Sequence, residues 1–153
     1  MKKSALVLFL STLFLFACTP KIEVKNIHDV CDFSIFHGLE PNMEIKDFFT
    51  VLGQPNEYLD GRDDEGTYHC PVYYFTDYKL KCNWDGDYHE MGTIEFIPYD
   101  NVNYTIDEFI KNPQQYGIDE NATRFNIYSD GIWYFEVFLD NNRVKSIQYW
   151  LCD

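Results

Sequence analysis

The densest group of chemically useful side chains is an acidic segment, Asp60 to Gly66, with the sequence DGRDDEG. Its four carboxylates have the chemistry of a calcium site, because Ca²⁺ prefers oxygen ligands. The alternating spacing of an EF-hand loop is broken by Arg62, which stands at the third position. We therefore interpret this segment as a solvated acidic turn.

A second such segment, Asp85 to Glu90, combines carboxylates with the imidazole of His89. A metal ion needs three or four ligands that converge on one point, and a single turn supplies two at most. We interpret this segment as a hairpin loop, and the sequence predicts no metal site.

Nucleophilic catalysis finds little support in the sequence. The histidines are His28, His37, His69 and His89, and no Ser or Cys lies in a nucleophile-elbow context beside them. A carboxylate pair for glycoside hydrolysis can be drawn from the 25 acidic residues, but their abundance makes such a pair uninformative. We predict no catalytic residue, no cofactor and no enzymatic activity.

Aromatic residues are the more informative excess, at 18% of the chain. Both faces of the predicted strand Ile132–Leu139 are largely apolar. The strand is therefore either covered on two sides or presents one face to a partner. In the second case Tyr134, Phe138 and Tyr149 form an aromatic patch suited to protein recognition, and the same patch beside carboxylates would suit stacking on sugars.

The composition is that of a folded domain with a strongly acidic surface. The chain has 153 residues, of which 46% are hydrophobic and 24% charged, with a formal net charge of −13. This composition argues against intrinsic disorder. The negative charge argues against nucleic acid as a partner, because nucleic-acid binding depends on Lys and Arg that neutralise phosphates. The length allows one domain or two very small ones.

The first 17 residues have the pattern of a targeting leader. Lys2 and Lys3 form a positive start, and Ala5 to Ala17 is an almost wholly apolar run of 13 residues. A membrane-spanning helix needs about 20 residues, so this run is typical of a signal peptide. We predict a leader at 1–17, a short polar tether at 18–26, and one domain at 27–153 with halves 27–100 and 101–153.

The end of this leader, Leu15-Phe16-Ala17-Cys18, resembles the lipobox of bacterial lipoproteins. The resemblance implies that Cys18 is acylated, palmitate included, and becomes the mature N-terminus. It also implies a location in the bacterial cell envelope, attached to the outer membrane. The alternative is a plain secretory signal that happens to end beside a cysteine.

The remainder of the chain predicts two helices, each followed by strands. The first helix is Met43–Leu52, whose apolar residues follow helical spacing, and the second runs from Ile106 to about Asn112 behind a capping box formed by Thr105 and Glu108. The expected class is α+β: an antiparallel sheet with both short amphipathic helices packed on one face. The similar order of elements suggests two tandem helix–strand-meander repeats. Strands are predicted at Tyr68–Phe75, Lys79–Trp84, Met91–Pro98, Arg124–Tyr128, Ile132–Leu139 and Arg143–Leu151.

Four cysteines follow Cys18, an even number in an exported chain. A hairpin register that pairs Val72 with Leu80 sorts apolar from polar residues on both arms, and it places Cys70 opposite Cys82. We predict a Cys70–Cys82 disulfide, with Cys31 and Cys152 joining the ends of the domain. The alternative is that all four are reduced and act as small core residues.

The segment Met43–Pro55, MEIKDFFTVLGQP, resembles the opening of BamE/SmpA-type outer-membrane lipoproteins and of β-lactamase inhibitor protein-like domains. Those families carry a short amphipathic helix that ends in Leu-Gly-x-Pro before a meander of strands. The inhibitor-like family contacts its enzyme through aromatic residues on its sheet and a carboxylate at a hairpin tip. Asp77 is the residue of this chain at such a tip.

These observations predict a lipid-anchored, non-catalytic protein that binds another macromolecule. A scaffold or assembly role beside an envelope protein is the first hypothesis. An inhibitor or immunity-type binder of an enzyme is the second, since an acidic surface associates quickly with a basic cleft. A glycan-binding module is the third.

Overall fold

The computed structural model of the chain describes residues 19–62, 67–85, 90–119, 121–129 and 133–151. These residues contain eight strands and two α-helices. The strands are β1 Lys21–Val24, β2 Glu57–Arg62, β3 Thr67–Tyr74, β4 Tyr78–Asp85, β5 Glu90–Pro98, β6 Arg124–Ser129, β7 Trp133–Asp140 and β8 Arg143–Leu151. The helices are α1 Ile45–Leu52 and α2 Ile106–Phe109, with short 3₁₀ turns at Ile27–Asp29, Ser34–Phe36 and Pro113–Tyr116.

The eight strands form one sheet in the order β1-β6-β7-β8-β5-β4-β3-β2. Neighbouring strands are antiparallel, except that β1 runs parallel to β6. The α+β class is confirmed, and the sheet dominates it. The sheet is mixed rather than purely antiparallel, because its first strand returns to pair with a strand from the far half of the chain.

Strand β1 lies inside the segment predicted as a tether. Lys21 is in register with Asn126 and Val24 with Ser129. Ile22 and Val24 are only 6% and 8% exposed, whereas the alternate residues are exposed. The prediction of a tether over 18–26 is therefore wrong from Lys21 onward, because period-two burial of two β-branched residues ties this segment to the sheet.

Strand β2 is not among the predicted strands, and its last three residues fall in the segment predicted as an acidic turn. Glu57 to Arg62 pairs along its whole length with β3 and forms the opposite edge of the sheet from β1. The acidic turn predicted at Asp60 to Glu65 is thus a strand up to Arg62, and its residues 63–65 lie outside the described residues.

The core lies between the helices and one face of the sheet. Phe48 of α1 packs against Tyr73 at 5.6 Å between ring centroids, and Phe109 of α2 packs edge-on against Phe135 at 5.3 Å. Phe36, from the turn that precedes α1, stacks on Phe135 and contacts Tyr149 at 5.1 Å. All these rings are buried, so three separate segments of the chain pack on one face of the sheet.

Both helices are shorter than predicted. Helix α1 runs from Ile45 to Leu52. It is terminated by Gly53, whose φ of 75° lies in the left-handed region that favours glycine. The capping box of Thr105 and Glu108 is present at the start of α2. Helix α2 ends at Phe109 because Ile110 leaves the helical conformation and forms a bridge with Cys31. Among the described residues, neither helix is long and apolar enough to cross a membrane.

The hairpin register differs from the predicted one by a single residue. Tyr73, not Val72, lies opposite Leu80, and Val72 lies opposite Lys81. Tyr73 takes the core side because its ring packs on α1 while its hydroxyl donates a 3.0 Å hydrogen bond to the carbonyl of Gly53. A one-residue shift exchanges the two faces of a strand.

The shifted register separates the two cysteines of this hairpin. Cys82 lies on the core side of β4, whereas the alternation of β3 places Cys70 on the other side, 3.2 Å from Oδ1 of Asn83. No disulfide joins Cys70 to Cys82 in the described structure. The predicted Cys31–Cys152 pairing involves a residue outside the described ranges and stays a prediction. Cys31 and Cys82 are buried as small core residues.

We expect the thiols of Cys31 and Cys82 to be chemically silent in the folded, reduced protein. Burial raises the pKa of both thiols, and only the thiolate is an effective nucleophile. Alkylation followed by mass spectrometry, in a Cys152→Ser background, should modify them slowly in buffer and quickly in urea. Rapid modification in buffer would contradict their burial.

We expect Ile22→Ala to lower the free energy of unfolding by about 2–3 kcal/mol, the lower part of the range for such truncations, because β1 is an edge strand. Urea denaturation measures this change. Glu23→Ala is the matched control, since Glu23 is exposed on the same strand and should change stability by less than about 0.5 kcal/mol. Equal effects from both variants would show that β1 is not anchored to the sheet.

Candidate binding face

The two faces of the sheet differ in what covers them. The described helices and 3₁₀ turns pack on the face that carries Phe135 and Tyr149, which we call the helical face. We call the opposite face the open face. Among the described side chains, its central part is formed by Lys21, Glu23, Arg124, Asn126, Tyr128, Tyr134, Glu136, Phe138, Gln148, Trp150, Thr93, Glu95, Lys79, Lys81 and Asn83.

A row of polar side chains crosses the middle of the open face. The register aligns one residue from each of six adjacent strands at the same height. Gln148 donates a 3.3 Å hydrogen bond to the carboxylate of Glu95, its cross-strand neighbour. This polar row consists of Lys21, Asn126, Glu136, Gln148, Glu95 and Lys81.

A row of aromatic side chains lies directly beside the polar row. Tyr128, Tyr134 and Trp150 are cross-strand neighbours on β6, β7 and β8. The ring centroids of Tyr128 and Tyr134 are 4.9 Å apart, and those of Tyr134 and Trp150 are 5.9 Å apart. All three side chains are half-buried, so each presents part of its ring to the outside. We call these three residues the aromatic row.

An ion pair joins the polar row to the row of residues on its other side. Glu136 is only 6% exposed, and its carboxylate pairs with the guanidinium of Arg124. That guanidinium also lies 5.2 Å from the centre of the Phe138 ring, a cation–π distance. The buried carboxylate of Glu136 neutralises the charge of Arg124, whose side chain remains half-exposed.

Two polar atoms on this face lack a hydrogen-bond partner among the described residues. They are Oδ1 of Asn126, whose side chain is 7% exposed, and Nε1 of Trp150. An unsatisfied buried donor or acceptor costs about 1–3 kcal/mol. One atom accepts and the other donates, and both are buried beneath the surface of this face.

The charge of the open face is balanced within a strongly acidic protein. The basic residues Lys21, Lys79, Lys81 and Arg124 share this face with a similar number of carboxylates, Glu23, Glu57, Glu95 and Glu136. Most other described carboxylates lie elsewhere on the domain. The open face can therefore approach another macromolecule without the repulsion that the rest of the surface would impose.

The structure brings together two of the three aromatic residues predicted as a patch. Tyr134 and Phe138 both lie on the open face and are half-buried. Tyr149 is wrong as a patch residue: it lies on the helical face, fully buried, stacked on Phe135 at 4.6 Å, and burial raises the pKa of its hydroxyl. Its place on the open face is taken by Trp150, the next residue along β8.

The other predicted candidates do not converge. Asp77 is exposed at the tip between β3 and β4, as predicted. His28 stacks on Phe33 at 4.1 Å, and His37 stacks on Phe75 at 4.4 Å, with its Nε2 hydrogen-bonded to the hydroxyl of Tyr78. Within the described ranges no group of three or more His, Cys, Asp or Glu side chains is placed to hold a metal ion.

A cleft of about 470 Å³ lies beside α2 and is lined by residues that include Cys31, Asp32 and Lys111. Its thiol is poorly suited to nucleophilic chemistry, because burial raises the pKa of Cys31 and outweighs the lowering by Lys111. The open face is therefore the better candidate for function.

We expect alanine substitutions on the two faces to differ in their effect on the free energy of unfolding. Tyr149→Ala should cost about 3–5 kcal/mol of unfolding free energy, the range for a buried aromatic residue. Tyr134→Ala and Phe138→Ala should each cost about 1–2 kcal/mol, because only part of each ring is buried. Urea titration of the three variants gives the comparison, and a cost at Tyr134 or Phe138 equal to that at Tyr149 would identify them as core residues.

Comparison with known proteins gives a distant likeness to a solved structure. No protein-family model and no curated protein matches the chain. Among solved structures, the chain is similar to a cysteine-rich secretory protein from Staphylococcus aureus, with 12% sequence identity and a TM-score of 0.46. The match covers 71% of this chain and 44% of that protein, so the chain spans less than half of its length. A likeness this distant carries no argument about function.

Proposed function

We propose that this protein is a lipid-anchored component of the bacterial cell envelope that binds another envelope protein through its open face. Anchoring is supported by the lipobox-like Leu15-Phe16-Ala17-Cys18 behind a positive, apolar leader. Its role is that of a scaffold or assembly factor at the outer membrane, and it acts by contact rather than catalysis. The observation that carries the binding proposal is the aromatic row, in which three partly exposed rings are aligned across adjacent strands.

The chemistry of the open face suits a protein partner. Tyr, Trp and Arg are the residues most enriched in the energetically important parts of protein interfaces. Here Tyr128, Tyr134 and Trp150 lie on three hydrogen-bonded strands, so binding freezes little additional backbone.

An inhibitor or immunity-type role is the second candidate, and two observations favour it. Asp77 stands exposed at a hairpin tip beside the sheet. The halves of the chain also build the sheet in the same outward order: β5, β4, β3 and β2 on one side of the centre, and β8, β7 and β6 on the other. We include in the proposal that these halves are tandem repeats, as in inhibitor-like domains. A basic enzyme cleft would then be the partner surface.

Cys18→Ser should release the protein from the membrane fraction. Acylation of Cys18 is the proposed anchor, and several acyl chains hold a protein stably where one holds it reversibly. The check is flotation of cell membranes on a gradient, with the intact mass of the purified wild-type protein. Thr19→Ser is the matched control and should stay membrane-bound. An unmodified mass with flotation retained by Cys18→Ser would overturn anchoring through this residue.

A photo-crosslinking amino acid at Tyr134 should capture a defined envelope protein in living cells. The same reagent at Tyr58, which is 47% exposed on β2, provides the control, because it is aromatic and accessible but distant from the aromatic row. One partner captured from Tyr134 and not from Tyr58 supports the proposed interface, and the identity of that partner separates a scaffold from an inhibitor.

Substitution of two aromatic residues of the open face provides the converse test. Tyr134→Ala combined with Phe138→Ala should abolish that capture when the crosslinker is moved to Tyr128, while circular dichroism shows the fold retained. Capture that persists would place the interface elsewhere. Failure to capture any protein from Tyr134 or Tyr128, with polysaccharide retained on the purified domain instead, would favour glycan binding.

A further inference from the structure

The chain is fixed to the sheet almost immediately after the proposed anchor. The carbonyl of Pro20 accepts a 2.9 Å hydrogen bond from the backbone N–H of Asn126, and β1 follows at once. Only Thr19 therefore separates Cys18 from a residue that is bonded to β6. Two residues of extended chain reach at most about 7 Å.

Strand β1 is also one edge of the sheet, and β2 is the other. With about 4.8 Å between neighbouring strands, these edges lie about 34 Å apart. A lipid attached at Cys18 would consequently hold one edge of the domain at the bilayer surface, whatever the position of the far edge.

The charge of the β1 edge favours this contact. Lys21 and Lys25 are both exposed, and they flank one exposed carboxylate, that of Glu23. Arg124 at the start of the neighbouring strand β6 adds no net charge, because its guanidinium is paired with the carboxylate of Glu136. This positive balance is unusual for a chain with a net charge of −13 and suits the phosphates of anionic lipid head groups.

We propose that the domain stands edge-on on the membrane, with β1 against the lipid head groups and β2 turned away. The inference rests on the proposed acylation of Cys18. Lys21 and Lys25 contact head-group phosphates, and the open face points sideways, along the membrane surface. The partner of the aromatic row is then a protein that projects from the same membrane to about the height of this sheet.

The test compares two positions on the same face of the two edge strands. Glu23→Cys on β1 and Leu59→Cys on β2, both exposed, are labelled with a fluorophore in a Cys152→Ser background, where burial shields Cys31, Cys70 and Cys82. The acylated protein is reconstituted into vesicles of phosphatidylethanolamine and phosphatidylglycerol that carry a head-group quencher. We expect the label at position 23 to be quenched several-fold more than the label at position 59.

Other orientations give other results. Equal and strong quenching at both positions would mean that the open face lies flat on the bilayer, and equal and weak quenching would mean that the helical face does. Either result overturns the edge-on proposal while the acylated mass of the sample keeps the anchor intact. An unmodified mass overturns the anchor and this inference with it, so the two failures are distinguishable.

Two variants test the cause of the orientation. A flexible Gly/Ser insertion of about 40 residues between Thr19 and Pro20, with a root-mean-square length of roughly 35 Å, should lower quenching at position 23 to the level at position 59. Lys21→Gln with Lys25→Gln should lower it in the anionic vesicles and leave it unchanged in vesicles of phosphatidylcholine alone. Quenching that is unaffected by the insertion would overturn the role of the short link. An equal response in both lipids would overturn the attraction of these lysines to anionic head groups.

Discussion

The structure depends on the packing of aromatic side chains against the helical face of its sheet. Phe36, Phe109 and Tyr149 come from three separate parts of the chain and meet at Phe135 in the centre of the helical face. Helix α2 has four residues and α1 has eight, so neither would be stable alone in water. The aromatic contacts on this face are what hold the helices, the N-terminal turns and the second half of the sheet together.

The alternation of side chains between the two faces also explains the chemistry of the open face. Each strand must send alternate residues to the helical face, so the remaining residues are aligned in rows by the register alone. The polar row and the aromatic row exist because β6, β7, β8 and β5 keep a common register through their centres. The Arg124–Glu136 pair, with the Phe138 ring under the guanidinium, fixes the end of this arrangement where the strands begin to bulge.

The sequence was sufficient to predict elements whose signal is local. The capping box at Thr105, the helix end at Gly53 and the limits of β8 are all determined by neighbouring residues. The sequence was insufficient where contacts between distant residues determine whether a segment forms a strand and which face a side chain takes. The alternation of Lys21 to Val24 is a weak strand signal, and only β6 makes it a strand. Likewise, Tyr73 outcompetes Val72 for the core side through a contact with Gly53, which no hairpin pattern contains.

The same limit applies to the binding face. The pattern of β7 correctly places Tyr134 and Phe138 together, because alternation within one strand is readable from sequence. Tyr149 and Trp150 are consecutive aromatic residues, so the sequence cannot say which of them lies beside Tyr134 until the register of β8 is known. The polar row spans six strands, and it cannot be predicted from the sequence because it depends on the register of every one of them.

The parallel pairing of β1 with β6 has a consequence for the order in which the chain folds. Strand β1 belongs to the first part of the domain to be synthesised, yet its partner residues, Asn126 to Ser129, come near the end. Until then the segment at Lys21 to Val24 has no strand to join, and contacts between such distant residues form late and slowly. An enzyme that carried out the proposed acylation of Cys18 would therefore meet an extended substrate early, whereas the finished fold draws the adjacent backbone into the sheet. The proposed lipid attachment would thus be favoured before β1 pairs with β6.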